Sequence, residues 1–333
     1  MTFLADYGLF LAKTFTIVVA ILIILVALVM VLTKNKMAQY NRIKFKSLSK
    51  QFFKLRKEYH ETIAEKPAYK QFLKSEKKRI KTQKTSDLPR IFVITYDGDV
   101  RASQTQQLVQ QINAILSVAN SDDKVILRLT SGGGMVPNYG HAAAQLLRLK
   151  KRNIHLIVCI DCIAASGGYL MAAVADEIVA APFAIIGSIG VVAQIPNFHK
   201  LLKHNHIDFE QVTAGEYKRT LTMFGENTEK SRLKVQEEVD AIHQQFKSFI
   251  SEYRPAIDIA QVGTGEYWSA ELAKEMNLVD RLNTSQDEIF DKYQDHNIFE
   301  VIYLTKKRIP EILTDSITNS VLHLYQKLTH SIT

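Results

Sequence analysis

Between residues 90 and 180 short, mainly apolar runs alternate with stretches of helical period, and this alternation restricts the fold more than any other feature of the chain. Ile91-Phe92-Val93-Ile94, residues 125–129 and residues 154–160 are the apolar runs. Strands that are apolar at successive positions bury both faces, as the strands of parallel sheets do. Between the first two, residues 103–120 place Leu108, Ile112, Ile115 and Leu116 at helical spacing, behind Ser103 and Gln106 in a capping-box arrangement. Helices are predicted over 136–150 and from Ser166 to about Val174, with a further strand at 177–180. Beyond these the pattern predicts a strand at 209–213, a helix at 229–253, a helix at 269–276 and a strand at 299–304. The long helix carries Leu233, Val235, Val239, Ile242, Phe246 and Ile250 as its apolar face. Such alternation predicts an α/β core with mainly parallel pairing.

The first 90 residues have a different character. Residues 14–32 form an uncharged, apolar run of 19 residues. At 1.5 Å per residue a helix of that length spans about 28 Å, the thickness of a bilayer core. Basic residues follow the run and no small-x-small cleavage site appears, so the run reads as an uncleaved anchor (residues 1–33, helix about 9–32) and not as a signal peptide. Lys44, Lys46, Lys50, Lys54, Arg56 and Lys57, then Lys74, Lys77, Lys78, Arg79, Lys81 and Lys84, account for much of the net charge of +8. The segment 34–89 therefore reads as a basic juxtamembrane linker drawn to anionic lipid headgroups. It carries no recognisable nucleic-acid reader motif. The positive-inside rule puts this side of the anchor in the cytoplasm. The globular domain is predicted over 90–310. Residues 311–333 follow as an amphipathic tail, with Ile312, Ile317, Val321, Leu324 and Leu328 on one stripe. That stripe suits a helix packed on its own domain or a neighbouring subunit, a membrane-surface helix, or a cover over the site.

The chain holds two cysteines, Cys159 and Cys162, too few for a disulfide framework. Cys159 falls in a buried-type strand, where it acts as a small hydrophobe, and no second pair completes a metal site. No cofactor is implied.

Ala164-Ala165-Ser166-Gly167-Gly168-Tyr169 places a serine between small residues where a strand passes into a helix. There Ser166 serves either as a helix N-cap or as an exposed nucleophile with the Gly167 N–H beside it. Acyl transfer requires backbone N–H donors aimed at the developing oxyanion, and Gly132-Gly133-Gly134 at the end of a strand offers a second source. No Gly-Lys-Ser/Thr follows these glycines, which argues against a phosphate loop. A serine needs a base. Lys218 is one candidate, and His141, His199, His204 and His206 are others. Lysine in that role requires a pKa lowered by about three units, a differential stabilisation on the order of 4 kcal/mol that burial supplies.

The stretch from Asp161 to Tyr169 is similar to the nucleophile block of the signal peptide peptidase A family, peptidase family S49. Gly187-Ser188-Ile189-Gly190-Val191 resembles a second signature of that family, and Thr213 to Thr220, containing Tyr217-Lys218-Arg219, resembles its lysine block. Order and the 52-residue interval from Ser166 to Lys218 agree. Residues 181–198 resemble one subgroup of bacterial inner-membrane peptidases in that family. The resemblance implies Ser166 as nucleophile, Lys218 as general base, Ser188 as the hydroxyl orienting the lysine, and Gly133 and Gly167 as the oxyanion hole. It implies a Clp protease/crotonase-like superhelix of strand–strand–helix units, preceded by a transmembrane helix and assembled into rings or domes. Peptide or protein substrates, such as signal-peptide remnants or membrane-proximal hydrophobic segments, follow by the same analogy. One departure stands out: the family carries Ser-Pro-Gly-Gly where this chain has Ser131-Gly132-Gly133-Gly134, so the donating glycine is open. A crotonase-like acyl-CoA enzyme or a non-catalytic membrane scaffold would share the fold.

Overall fold

The apolar runs become neighbours in one sheet, where both faces of each are covered. A computed structural model of the protein describes residues 7–21, 23–24, 42–63, 67–75, 88–293 and 295–304. Its elements in chain order begin with helix α1 (residues 7–21), strand β1 (Arg42–Ser47), helices α2 (Leu48–Thr62) and α3 (residues 67–75), and strand β2 (Arg90–Gly98). There follow α4 (Thr105–Leu116), β3 (Lys124–Ser131), α5 (Val136–Lys150), β4 (His155–Ile160), β5 (Ile163–Ala165) and α6 (Gly167–Ala172). Next come β6 (Glu177–Ala180), β7 (Ile185–Gly187), α7 (His199–His204), α8 (Glu229–Tyr253) and α9 (Ile259–Val262). The last are β8 (Tyr267–Ser269), α10 (Ala270–Glu275), β9 (Arg281–Leu282), α11 (Ser285–Lys292) and β10 (Asn297–Leu304). The chain divides into two units; α1 belongs to one, and the other spans Phe45–Ile302.

The main sheet runs β1-β10-β2-β3-β4-β6-β9, with parallel pairing from β10 through β9. Helices α4, α5 and α6 pack on it and on one another. Ile91, Val93, Ile126, Ile157, Cys159 and Val179 are buried together in the core cluster. Burial also pushes the Cys159 thiol far up, as expected of a cysteine serving as a hydrophobe.

At its far end β3 leaves β4, with which Lys124–Arg128 pair, and takes a new neighbour, Ser131 pairing with Ala164 of β5. Strand β7 pairs in parallel with β5, and β8 runs antiparallel to β7. A second, small set of strands thus branches from the end of the main sheet. The loop after β3 and the turn after β5 meet at this branch.

Several expectations change. The capping box at Ser103 does not form: α4 starts at Thr105, and Ser103 instead donates its backbone N–H and its hydroxyl to the Asp99 carboxylate, at 2.8 Å each. Residues 209–213 form no strand, and Val212 is 99% exposed. Within the segment read as a linker, β1 joins the sheet edge and α2 lays Leu48 and Phe52 on the core, capped by the Ser47 hydroxyl accepting from the Lys50 N–H. Residues 25–32 of the apolar run and the tail 311–333 lie outside the described residues. Among the described residues no helix is long and apolar enough to cross a membrane.

Candidate active site

Strand β5 ends at Ala165, and the chain turns through Ser166 at φ +51°, ψ −120° before α6 begins. Non-glycine residues seldom adopt this conformation, so it is held by its surroundings. The Ser166 N–H donates to the Gly187 carbonyl at 2.8 Å, and the Ser166 carbonyl accepts the Leu170 N–H at 2.9 Å. Although Ser166 occupies the N-cap position, its hydroxyl makes no capping hydrogen bond. The capping explanation of this serine therefore fails, and the side chain is left to the cleft beside it.

That cleft has a volume of about 410 Å³ and is lined by Ser166, Gly167 and Gly134, and by apolar side chains of α5, α6 and α8, among them Val136, Leu170, Ile242 and Phe246. The predicted apolar stripe of α8 finds its explanation here. Of that helix only Ile250 is buried in the core, while Ile242 and Phe246 face the cleft.

The strand-end glycines press against the nucleophile turn. A Cβ at Gly133, whose φ is +86°, would lie 2.7 Å from the Gly167 nitrogen and 2.8 Å from Ser166 Cβ, so only glycine fits. Gly167 has no more room, since its Cβ would lie 2.5 Å from Tyr139 Cγ. The two glycines expected as oxyanion donors are thus adjacent, yet they are not equivalent. The Gly133 N–H donates to Ser131 Oγ at 3.0 Å. Gly134, one of the three strand-end glycines among which the donor was left open, lines the cleft with Gly167, and neither amide has a hydrogen-bond partner among the described residues. An unpaired N–H in the first turn of α6 is what a helix start provides.

Ser188 follows β7 as Ser166 follows β5, and the register Ala165↔Gly187 pairs the two strand ends, but Ser188 is not among the residues lining the cleft. It too has positive φ, +52°, and its N–H donates to the Glu266 carbonyl at 2.6 Å. Lys218 is placed differently. It sits in irregular chain between α7 and α8, its N–H bonded to the Gly215 carbonyl at 3.2 Å, with an exposed side chain that is not part of the cleft lining. Glu216 ties this loop to α8 through Lys230 at 2.6 Å. None of the candidate histidines lines the cleft either. His243 of α8, which the residue pattern did not mark, hydrogen-bonds the Ile189 carbonyl through Nε2 at 3.0 Å and so donates to it.

A serine on a constrained strand-to-helix turn, open to an apolar cleft with unpaired backbone N–H groups on its wall, is the build of an acyl-transfer site. Two family models match successive parts of the chain: Peptidase family S49 N-terminal over residues 2–146 and Peptidase family S49 over residues 148–298. The chain belongs to peptidase family S49. Its relatives include Probable protease SohB of Haemophilus influenzae, 44% identical over 320 residues that cover 92% of this chain and 90% of that protein. The protein of the same name from Buchnera aphidicola subsp. Acyrthosiphon pisum is 52% identical over 239 residues, 72% of this chain and 71% of its own. Membership supports a peptidase acting on peptide or protein substrates.

Proposed function

We propose that this peptidase is a membrane-anchored serine endopeptidase with a Ser166–Lys218 dyad. Ser166 Oγ attacks the scissile carbonyl as its proton passes to the neutral Lys218 amine, forming a tetrahedral oxyanion. The Gly167 and Gly134 N–H groups receive that oxygen. Collapse breaks the C–N bond, the leaving amine takes the proton back from Lys218, and water hydrolyses the ester with Lys218 again as base. Ser188 orients the lysine. The observation that carries this reading is the positive-φ Ser166 with an uncapped hydroxyl in a cleft walled by free amides.

A neutral lysine requires dry surroundings. Lys218 is exposed in the single chain, and so are its neighbours Val212, at 99%, Tyr217 and Phe209. An adjoining copy in a ring or dome therefore completes the site by burying this loop against a second Ser166 cleft. The short strand–strand–helix succession β4-β5-α6 supports a Clp protease/crotonase-like arrangement. Anchoring rests on the apolar run 14–32, and the basic residues after it support a cytoplasmic catalytic domain at the bacterial inner membrane. The apolar cleft suits hydrophobic, membrane-proximal segments such as signal-peptide remnants.

The test is cleavage of apolar peptides by the purified full chain in detergent, alongside Ser166→Ala, Lys218→Ala and a mixture of the two variants. Each variant alone is expected to be inactive, and the mixture to regain activity as subunits combine. Parent-like cleavage by either variant would refute the dyad, and an inactive mixture would refute its assembly across copies.

A further inference from the structure

Behind the oxyanion wall lies a closed chain of hydrogen bonds that neither Ser166 nor Lys218 takes part in. Ser131 is 1% exposed and Tyr139 fully buried, and their hydroxyls lie 2.6 Å apart. The Tyr139 hydroxyl also lies 2.8 Å from the Asp99 carbonyl, which can only accept, so the phenol proton is committed there. It follows that Ser131 Oγ donates to Tyr139 and offers its remaining lone pairs to the Gly133 N–H at 3.0 Å. Every proton in the chain Gly133 to Ser131 to Tyr139 to Asp99 then has one assignment.

The backbone around this chain admits little else. Ser131 sits where β3 changes partners, in register with Gly98 of β2 on one side and Ala164 of β5 on the other. A Cβ at Gly98 would lie 2.5 Å from the Tyr139 hydroxyl and 2.6 Å from Ser131 Oγ, so glycine there makes room for the pair. The Tyr139 ring itself backs Gly167 and lines the cleft.

We infer that Ser131 and Tyr139 are positioning residues of the acyl-transfer site, holding the Gly133 amide inward so that the next amide, that of Gly134, faces the cleft beside Gly167. The inference rests on the acyl-transfer reading above and adds to it the selection of the donor. A run of three glycines is too permissive to choose one peptide orientation unaided. The buried hydroxyl pair supplies the choice. Pre-set donors matter because the oxyanion exists only in the transition state, so their misplacement lowers turnover without weakening substrate binding.

The experiment uses the full chain in detergent and the variants Tyr139→Phe, Ser131→Ala and the double variant. Tyr139→Phe keeps the ring behind Gly167 and removes only the hydroxyl. The expected result is a kcat about 10–100-fold lower in each, with KM within about twofold, since displacement of a reacting group by about 1 Å costs up to about 10²-fold and outright loss of a donor costs more. The double variant is expected to match the single ones, because one chain is broken in each case. Amide hydrogen exchange of a peptide covering residues 131–135 gives a readout independent of turnover, and Ser131→Ala is expected to expose the Gly133 amide. Unchanged kcat in Tyr139→Phe, a loss confined to KM, or unchanged exchange at Gly133 would each overturn the inference. A parent chain that cleaves no peptide would count against the proposed function instead, and the exchange result would still decide whether the relay exists.

Discussion

Replacing Ser166 by glycine and, separately, by alanine measures the strain at the nucleophile turn. At φ +51°, ψ −120° an L-residue is in sparsely populated territory, which costs on the order of 1–3 kcal/mol. Alanine keeps that cost and removes the hydroxyl, which makes no capping bond, so Ser166→Ala is expected to leave stability within about 0.5 kcal/mol of the parent. Glycine relieves the strain but adds freedom to the unfolded chain, a debit of about 0.5–1 kcal/mol. The net expectation is that Ser166→Gly is more stable than Ser166→Ala by about 0–2.5 kcal/mol, or up to about 10 °C in Tm for a unit of this size. Urea and thermal unfolding of the full chain in one detergent supply the measurement. The same pair of substitutions at Ser117, whose φ is −77° and ψ −17° at the end of α4, serves as a control. There glycine is expected to be the less stable of the two by about 0.5–1 kcal/mol. If glycine at 166 is less stable than alanine by as much as at Ser117, the turn stores no strain and the nucleophile is not held in the way described.

Further outcomes are expected at Gly140 and in acid. Gly140 lies within α5 and lines the cleft, with nothing within 4 Å of a Cβ placed there. Gly140→Ala is expected to raise stability by about 0.5–1 kcal/mol, while Gly140→Phe fills the cleft and raises KM for peptides with bulky apolar side chains by at least about tenfold. Acid should weaken the fold through Asp123 and Glu288. Burial pushes both carboxyls up, but hydrogen bonds from Arg90 and two backbone amides to Asp123, and from Lys292 and Arg281 to Glu288, outweigh it and hold both below their ordinary values of 3.8 and 4.5. A carboxyl with a lowered folded-state value contributes stability above its ordinary value and loses it as pH falls through the folded one. Urea midpoints should therefore decline below about pH 4.5, and Asp123→Asn should lessen that decline; a midpoint flat to pH 2 would contradict the assignment.

The parts of the site that could be read from residue order are those governed by local chemistry. Continuous apolar runs are buried on both faces wherever they occur, so β2, β3, β4 and β6 were legible, and helical period placed α5 and α8 within their observed bounds. Small residues at a strand-to-helix junction left Ser166 open between helix cap and nucleophile, and the family resemblance supplied the nucleophile reading. Short strands such as β5, β7 and β8 carry too few residues to show a period. Strand β1 and helix α2 were hidden in a basic stretch, because Leu48 and Phe52 are the two apolar residues that this helix packs on the core cluster and its lysines dominate the pattern.

Tertiary structure alone decided that the Gly133 amide is taken by Ser131 Oγ, since that depends on Ser131 and Tyr139 meeting where β3 changes partners. It also decided that the α8 stripe borders a cleft and that the strand ends before Ser166 and Ser188 pair with one another. Local sequence sets the conformation a residue can adopt; which groups then face one another is set by pairings between segments far apart in the chain.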